Sequence, residues 1–541
     1  ESISKNGAVT SSHPIASQVG IDILESGGNA IDAAIAVGFA LSVVHPGAGN
    51  IGGGGFMLIR LADGSVTSID FRETAPKLAY RDMYLDDNGQ VISNMSWDTI
   101  FAVGVPGTVA GFGFAHKKYG SVNWKKIVNP SVKLAKNGFK LDPLNVTYFN
   151  SKKYSTLLSN NQYSKDQFIE NRKYEIDEIF TQHKLARTLK RISKNGYNEF
   201  YNGKTADLIV NTMRSSGGLI SYEDLSSYLP VEREPIHFKY RGYNIYSMSQ
   251  PSSGGVILAE ILNQIENYNF DSENSFHSFE HVYLLAESEK QAYADRAKYL
   301  GDPDFNNNQQ IVEKLISQEY ADSLWSNISI NKKIDINDIY DFENYESDET
   351  THYSVTDKWG NAVSVTTTLN GWYGTGIVVS EGGFLLNNEM DDFSSKPGHP
   401  NKYGLVGSEA NSIDSGKRML SSMSPTIVTD MNDDLFLVLG SPGGSTIITT
   451  IAQIIINILD FDMNIQEAVS LKRFHHQFVP EYIYYEPNSL TNDVIKKLST
   501  MGYKSIERNS IGEANCIQYI KNDNIYYGTS DRRRNGKAIG Y

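Results

Sequence analysis

Residues 350–370 read TTHYSVTDKWGNAVSVTTTLN, and the architecture follows from how this stretch pairs with itself. Tyr353, Val355 and the run from Ala362 to Leu369 have the alternation and β-branching of strands, and Lys358-Trp359-Gly360 supplies a short loop with glycine where positive φ is wanted. The stretch predicts a hairpin. If Asp357 faces Asn361 across the loop, counting back along both strands sets Thr350 opposite Thr368, with Cβ atoms roughly 4.5–5.5 Å apart. Asn370, two residues further on, then projects from the same face. A slip of one residue turns Thr367 inward instead.

A threonine hydroxyl is inert at neutral pH unless a base lies within reach, and Thr350 acquires one if the chain is cut just before it. A free α-amine has a reference pKa of about 7.7–8.0, close to the optimum for a general base at neutral pH. Amine and hydroxyl sit on adjacent carbons, so scission between Glu349 and Thr350 creates an active site. Threonine-rich strands also occur because their hydroxyls satisfy one another, and the hairpin alone leaves that reading open. Residues 331–349 hold seven acidic side chains against two basic ones. Such a run repels itself and stays solvated, which suits a segment that must be mobile before a cut and equally describes an ordinary acidic loop.

The chain has 541 residues, 40% hydrophobic and 21% charged, enough for a large buried core. A net charge of −14 argues against nucleic acid and anionic membrane as partners. The single cysteine, Cys516, excludes intrachain disulfides and a thiolate zinc site. No apolar stretch reaches the ~18–20 residues that span a bilayer. The first residue is Glu1 rather than Met, which leads to the expectation that a signal peptide has been removed. Length suggests about three or four domains, but no Pro/Gly/Ser-rich linker divides the chain, and one domain over residues 1–541 is expected.

Near the start, Pro14 to Ser26 reads as a helix ending at Gly27-Gly28, and Asn29 caps a second, apolar helix running to about Val44. Gly52 to Gly55 lie after a helix and before the strand FMLIRL. A phosphate loop needs the opposite order, so these glycines predict a tight, close-packed turn. Residues from about 150 to 202 are polar and predict surface helices, and helical periodicity returns from Glu280 to Lys298, with Glu287, Glu289 and Asp295 read as a solvated face. The stretch LFLVLGSPGGSTIITTIAQIIINIL does run strand, glycine turn, helix. Its Gly443 and Gly444 amides can point at a developing oxyanion, and the helix N-terminus adds to the field, although such turns are also a common packing device. His475-His476 look like a metal pair, but adjacent histidines diverge, and they are read as structural.

Taken together, DFRETAP (residues 70–76), TTHYSV (350–355), LLNNEMDDF (385–393), SSMSPT (421–426) and GSPGGS (440–445) resemble the γ-glutamyltransferases of the N-terminal nucleophile hydrolase superfamily. The likeness runs from GAVTSSHPIASQVGIDILESGGNAIDAAIA to DRRRNGKAIGY. It implies an α+β fold, a four-layer αββα sandwich, and a precursor that cuts itself between Glu349 and Thr350 into fragments 1–349 and 350–541 that stay together as a heterodimer. By the same resemblance Thr350 is the nucleophile, Thr368 supports it, and Gly443 and Gly444 form the oxyanion hole. Arg72 holds the donor's α-carboxylate, with Ser421 and Ser422 beside it, and Asp392 receives the α-ammonium with Asn370 and Glu389 nearby. Read without the motifs, Arg72 and Asp392 also make an ordinary ion pair. Lys396 to Gly407 resembles the family's lid, with Tyr403 at its gating position, though it also reads as a plain Pro/Gly surface loop.

The implied activity is transfer of the γ-glutamyl group of glutathione and related donors, through a threonyl ester, to water or an amino acid or dipeptide acceptor. No metal or organic cofactor is called for, and the location implied is periplasmic or secreted. Two alternatives remain at this point: a cephalosporin-acylase-like amidase of the same superfamily, and a noncatalytic binding protein that stays uncut.

Overall fold

Two seven-stranded antiparallel sheets stack face to face, and helices cover the outer side of each. The computed structural model describes residues 1–169, 172–270, 275–329, 333–334 and 349–541. Most of the acidic run before Thr350 lies outside those residues, and so does its expected mobility. In the first sheet the strands follow the order Lys537–Gly540, Ala8–Ser11, Thr351–Thr356, Ala362–Thr368, Gly54–Arg60, Val66–Asp70 and Val231–Arg233. The second runs Ser2–Ser4, Ile525–Ser530, Asn515–Ile520, Leu435–Leu439, Thr426–Thr429, Tyr243–Ser247 and Ile236–Tyr240. Both sheets thus mix strands from before Glu349 with strands from after it.

The predicted hairpin sits at the centre of the first sheet, buried on both faces, and its alternation explains how. Tyr353, Val355, Val363 and Val365 pack outward into the cluster formed with the helices Pro14–Glu25 and Ala30–Val44. Their neighbours Ser354 and Ser364 point at the second sheet and donate to the carbonyls of Asn515 (2.9 Å) and Leu439 (3.0 Å). Small hydroxyl residues therefore satisfy polar groups where the two sheets meet, which a buried face requires. Between the sheets, Leu58 and Ala362 also meet Ile427, Val438 and Ile517.

The helix Ala30–Val44 is buried on every side, as its uninterrupted apolar run implies. Asn29 caps it reciprocally: its side chain accepts from the Asp32 amide, and Asp32 accepts from the Asn29 amide. On the second sheet the helices Gly254–Ile265, Phe279–Tyr299 and Thr446–Leu459 form the matching outer layer. Among the described residues no helix is long and apolar enough to cross a membrane.

One expectation is corrected here. Glu287 and Glu289 are fully buried rather than solvated. Glu287 accepts from the Lys290 ammonium at 2.9 Å, and Glu289 accepts from the His476 amide at 2.8 Å. Asp295 is half-buried and accepts from the Tyr320 hydroxyl at 2.6 Å. Between residues 150 and 202 stand the expected helices Lys152–Ser159, Gln162–Phe168, His183–Asn195 and Asn198–Asn202, yet Leu158, Phe168, Leu185, Leu189 and Phe200 anchor them in the core.

Candidate active site

The hairpin pairs Thr351 with Thr367 and Thr356 with Ala362, the register counted from its loop. Thr350 therefore stands opposite Thr368, and its hydroxyl donates to the Thr368 hydroxyl at 3.3 Å. Thr368 also accepts from the Asn370 amide at 2.8 Å, which fixes its position. Thr367 turns away and donates to the Gly54 carbonyl. Behind this pair lies the glycine turn. A side chain at Gly53 would place its Cβ 2.0 Å from the Thr368 carbonyl oxygen, and one at Gly54 would reach 2.4 Å from Glu73 Oε2, so close packing of backbone against the hairpin demands glycine there. Asn50 ties the same elements together, donating to the Thr368 carbonyl at 2.9 Å and accepting from the Gly53 amide at 3.0 Å.

Thr350 has φ 104°, a conformation that a β-branched residue rarely adopts. Such strain costs of order 1–3 kcal/mol and persists only when the surroundings impose it. It falls at the bond the sequence reading marks for cutting. The carbonyl oxygen of Glu349 accepts from the Gly443 amide at 3.2 Å, and Gly443 itself has φ 130°, which favours glycine. Gly443 and Gly444 form the turn between the strand Leu435–Leu439 and the helix Thr446–Leu459. An amide held against the carbonyl before Thr350 is placed where negative charge would develop if Thr350 attacked it.

One small cavity, about 20 Å³, is lined by Thr350, Thr368, Asn370, Arg72, Glu389, Asp392, Tyr403, Ser421, Ser422 and Gly444. Residues scattered over most of the chain are brought together there. Arg72 is fully buried and bonds to Glu389 through one nitrogen and to Asp392 through another, the latter at 2.5 Å. Its Nε donates to the Met419 carbonyl at 3.2 Å. Burial works against the Arg72 charge, but Glu389, Asp392 and Glu73 more than offset it and raise its pKa. The same burial pushes Glu389 up to about 8 and Glu73 well above the usual carboxylate range, with each raised further by a neighbouring carboxylate. Three carboxyls thus crowd one guanidinium, and Glu73 and Glu389 bond to each other.

Tyr403 closes the cavity. Its hydroxyl lies 3.0 Å from Glu349 Oε2 and 2.9 Å from the Asn370 carbonyl oxygen, and its ring meets Trp97 edge to face at 5.8 Å. The loop bearing it is held by Asp392, which accepts from Asn401 at 3.0 Å, and by Asp391, which accepts from the Lys402 amide at 2.9 Å. His475 and His476 lie elsewhere: His475 bonds to Thr449 and Gln477, and burial brings its pKa down to about 3.

Two residues at the site were not singled out in the sequence. Glu73, next to Arg72 in the DFRETAP motif, is buried 3.9 Å from its guanidinium. Arg296, on the helix Phe279–Tyr299, donates to the hydroxyls of Ser253 (3.0 Å) and Ser422 (3.3 Å), and Ser253 in turn holds the Ser421 carbonyl at 2.7 Å. Adjacency to Arg72 was an available signal for Glu73; nothing local marks Arg296.

A cephalosporin acylase from Bacillus halodurans matches the whole chain, and 96% of its own, with a TM-score of 0.86 at 25% identity. The fold is that of an N-terminal nucleophile hydrolase, a class of enzymes. More narrowly, the chain belongs to the γ-glutamyltranspeptidase family, whose description, Gamma-glutamyltranspeptidase, matches residues 16–541. The glutathione hydrolase proenzyme of Escherichia coli K12 is 48% identical over 533 residues, covering 98% of this chain and 90% of its own. A solved chain of Helicobacter pylori γ-glutamyltranspeptidase is 44% identical, with a TM-score of 0.57, and covers 59% of this chain and 90% of its own.

Proposed function

We propose that this protein is a self-processing γ-glutamyltransferase and glutathione hydrolase with Thr350 as nucleophile. The observation that carries this reading is the strained Thr350, with its hydroxyl on Thr368 and the preceding carbonyl on the Gly443 amide. In the precursor the Thr350 oxygen attacks the Glu349 carbonyl carbon, the peptide C–N bond breaks, and the freed amine takes the proton. Water then cleaves the resulting ester and leaves a Glu349 carboxylate and a Thr350 amine. Fragments 1–349 and 350–541 stay associated, because both contribute strands to each sheet.

In the mature enzyme that amine accepts the Thr350 hydroxyl proton as the oxygen attacks the γ-carbonyl of the donor, and passes the proton to the departing amine. Water or the amine of an amino acid or dipeptide then attacks the γ-glutamyl ester. Gly443 and Gly444 face the developing oxyanion, and loss of such a donor typically costs about 2.7–4 kcal/mol. The donor's carboxylate takes Arg72, with Ser421 and Ser422 alongside, and its ammonium takes Asp392 with Asn370 and Glu389; bound this way, the zwitterion replaces the pairing these charges make with one another. Tyr403 covers it. A glutaryl donor of the acylase type has no ammonium for Asp392, so γ-glutamyl and glutaryl anilides separate the two specificities. Export to the periplasm or medium follows the family resemblance and is checked by fractionation. Thr350→Ala tests the reading as a whole: the expected product is one uncut chain without γ-glutamyl-p-nitroanilide activity, whereas a cut, active variant would remove Thr350 from the mechanism.

A further inference from the structure

Arg296 carries a charge that the rest of the site leaves unanswered. It stands in the last turn of the helix Phe279–Tyr299 and is 5% exposed. Among the described residues it makes no ion pair: burial lowers its pKa, Arg72 lowers it further, and the pull of Asp392 from beyond contact does not make up the difference. A guanidinium stays protonated all the same, and holding a charge out of water without a partner costs several kcal/mol. The negative end of its own helix offsets only part of that cost. A tether between this helix and the Ser421–Ser422 segment would need hydrogen bonds but no charge, so the cation itself calls for a purpose.

The hydroxyls beside it point to one. Its Nε donates to Ser253 Oγ at 3.0 Å and its Nη2 to Ser422 Oγ at 3.3 Å, and Ser253 gives its own proton to the Ser421 carbonyl at 2.7 Å. A serine hydroxyl has one proton to donate. The Ser422 oxygen accepts from Arg296 and the Ser421 oxygen accepts from the Met423 amide at 3.1 Å, and among the described residues neither hydroxyl gives its proton to a protein group. Both serines line the small cavity with Thr350 and Arg72, so two O–H donors are left for a ligand there. Arg72 is already bonded to Glu389 and Asp392, which makes Arg296 the guanidinium at this site without a carboxylate of its own. We propose that Arg296 is a positioning residue for the donor's α-carboxylate: by donating to the Ser422 oxygen it turns that hydroxyl's proton into the cavity and polarises it, so that the pocket prefers a carboxylate to a neutral group.

This inference rests on the functional reading above, and one comparison tests it apart from that reading. kcat/KM is measured for γ-glutamyl-p-nitroanilide, for its α-carboxamide, which lacks the carboxylate, and for glutaryl-p-nitroanilide, which lacks the ammonium. The proteins are the wild type, R296M, S422A and the double variant, and where turnover is too slow to follow, the inhibition constant is read instead. In R296M the preference for the acid over the carboxamide should fall roughly tenfold, the scale of one charge-assisted hydrogen bond, while the preference for γ-glutamyl over glutaryl moves less than about threefold. Because Arg296 acts through Ser422, the double variant should lose no more than about threefold beyond the larger single loss. A ratio taken within one preparation does not depend on how much of the protein is folded or cut. Should R296M stay uncut, R296K takes its place: one ammonium cannot hold Ser253 and Ser422 together as the fork does, and the same selective fall, above about threefold, is expected. An acid preference kept within about threefold of the wild type, an equal fall in the preference over glutaryl, or single losses that add in the double variant overturns the inference while the γ-glutamyl activity stands. A wild type that releases no p-nitroaniline from γ-glutamyl-p-nitroanilide sinks the functional reading, and the inference with it.

Discussion

The buried charge clusters around Arg72 and around Arg473 and Arg533 are built to opposite rules. Around Arg473 and Arg533, two carboxylates meet two guanidiniums: Glu486 and Asp531 accept on all four oxygens, from both arginines and from the Ile511 and Ala514 amides. Burial raises their pKa values, but the arginines win and both end below the usual carboxylate range. Around Arg72 three carboxyls crowd one guanidinium, with Arg296 beyond Asp392, and burial together with the neighbouring carboxylates drives the pKa values of Glu73 and Glu389 up. A cluster with cations and carboxylates in balance holds structure together. An unbalanced one, with carboxyls in excess, is what a site looks like before a ligand supplies an ammonium and a carboxylate.

Neutralising one member of each cluster separates the two roles. Arg473→Gln should lower unfolding stability by about 3–5 kcal/mol, because it leaves two buried carboxylates to the single guanidinium of Arg533; a chemical denaturation series measures it, and a loss below about 1 kcal/mol would erase the distinction. Arg72→Gln should cost less stability, since the carboxyls around it can take up protons. It should lower kcat/KM for γ-glutamyl-p-nitroanilide by roughly a hundredfold, about 2.7 kcal/mol of lost transition-state binding. Steady-state kinetics beside a melting curve decide whether function or fold suffers more.

Stability against pH sharpens the same contrast with a smaller effect. Glu389 keeps its proton in the fold up to about 8, against about 4.3 in an unfolded chain. The folded state therefore binds more protons across that window, and its stability falls as pH rises through it, by at most about 2 kcal/mol from Glu389 between about pH 6 and 8. Asp391, pushed up to about 7 by burial, adds to the slope below that value. Glu389→Gln should flatten the fall between about pH 6 and 8. Asp531 and Glu486, with lowered pKa values, contribute stability that is present above about pH 4 and lost as pH drops further.

Much of the site was legible because its signals are local. The Thr350–Thr368 pair lies only 18 residues apart in the chain, and a three-residue loop sets its register. The order helix, glycine turn, strand at Gly52 to Gly55 separated a packing turn from a phosphate loop. Arg296 reaches Ser422 across 126 residues, and Asn50 reaches Thr368 across 318, contacts that no periodicity announces. Glu287 and Glu289 were misread for a related reason. Carboxylates at helical spacing look alike whether water or a buried Lys290 and the His476 amide satisfy them.

Sequencing the N-termini of the purified protein bears most directly on whether a freed amine arms Thr350. The expected result is two termini, one reading Thr-Thr-His-Tyr, in material that turns over γ-glutamyl substrates. A single terminus in fully active protein would contradict it.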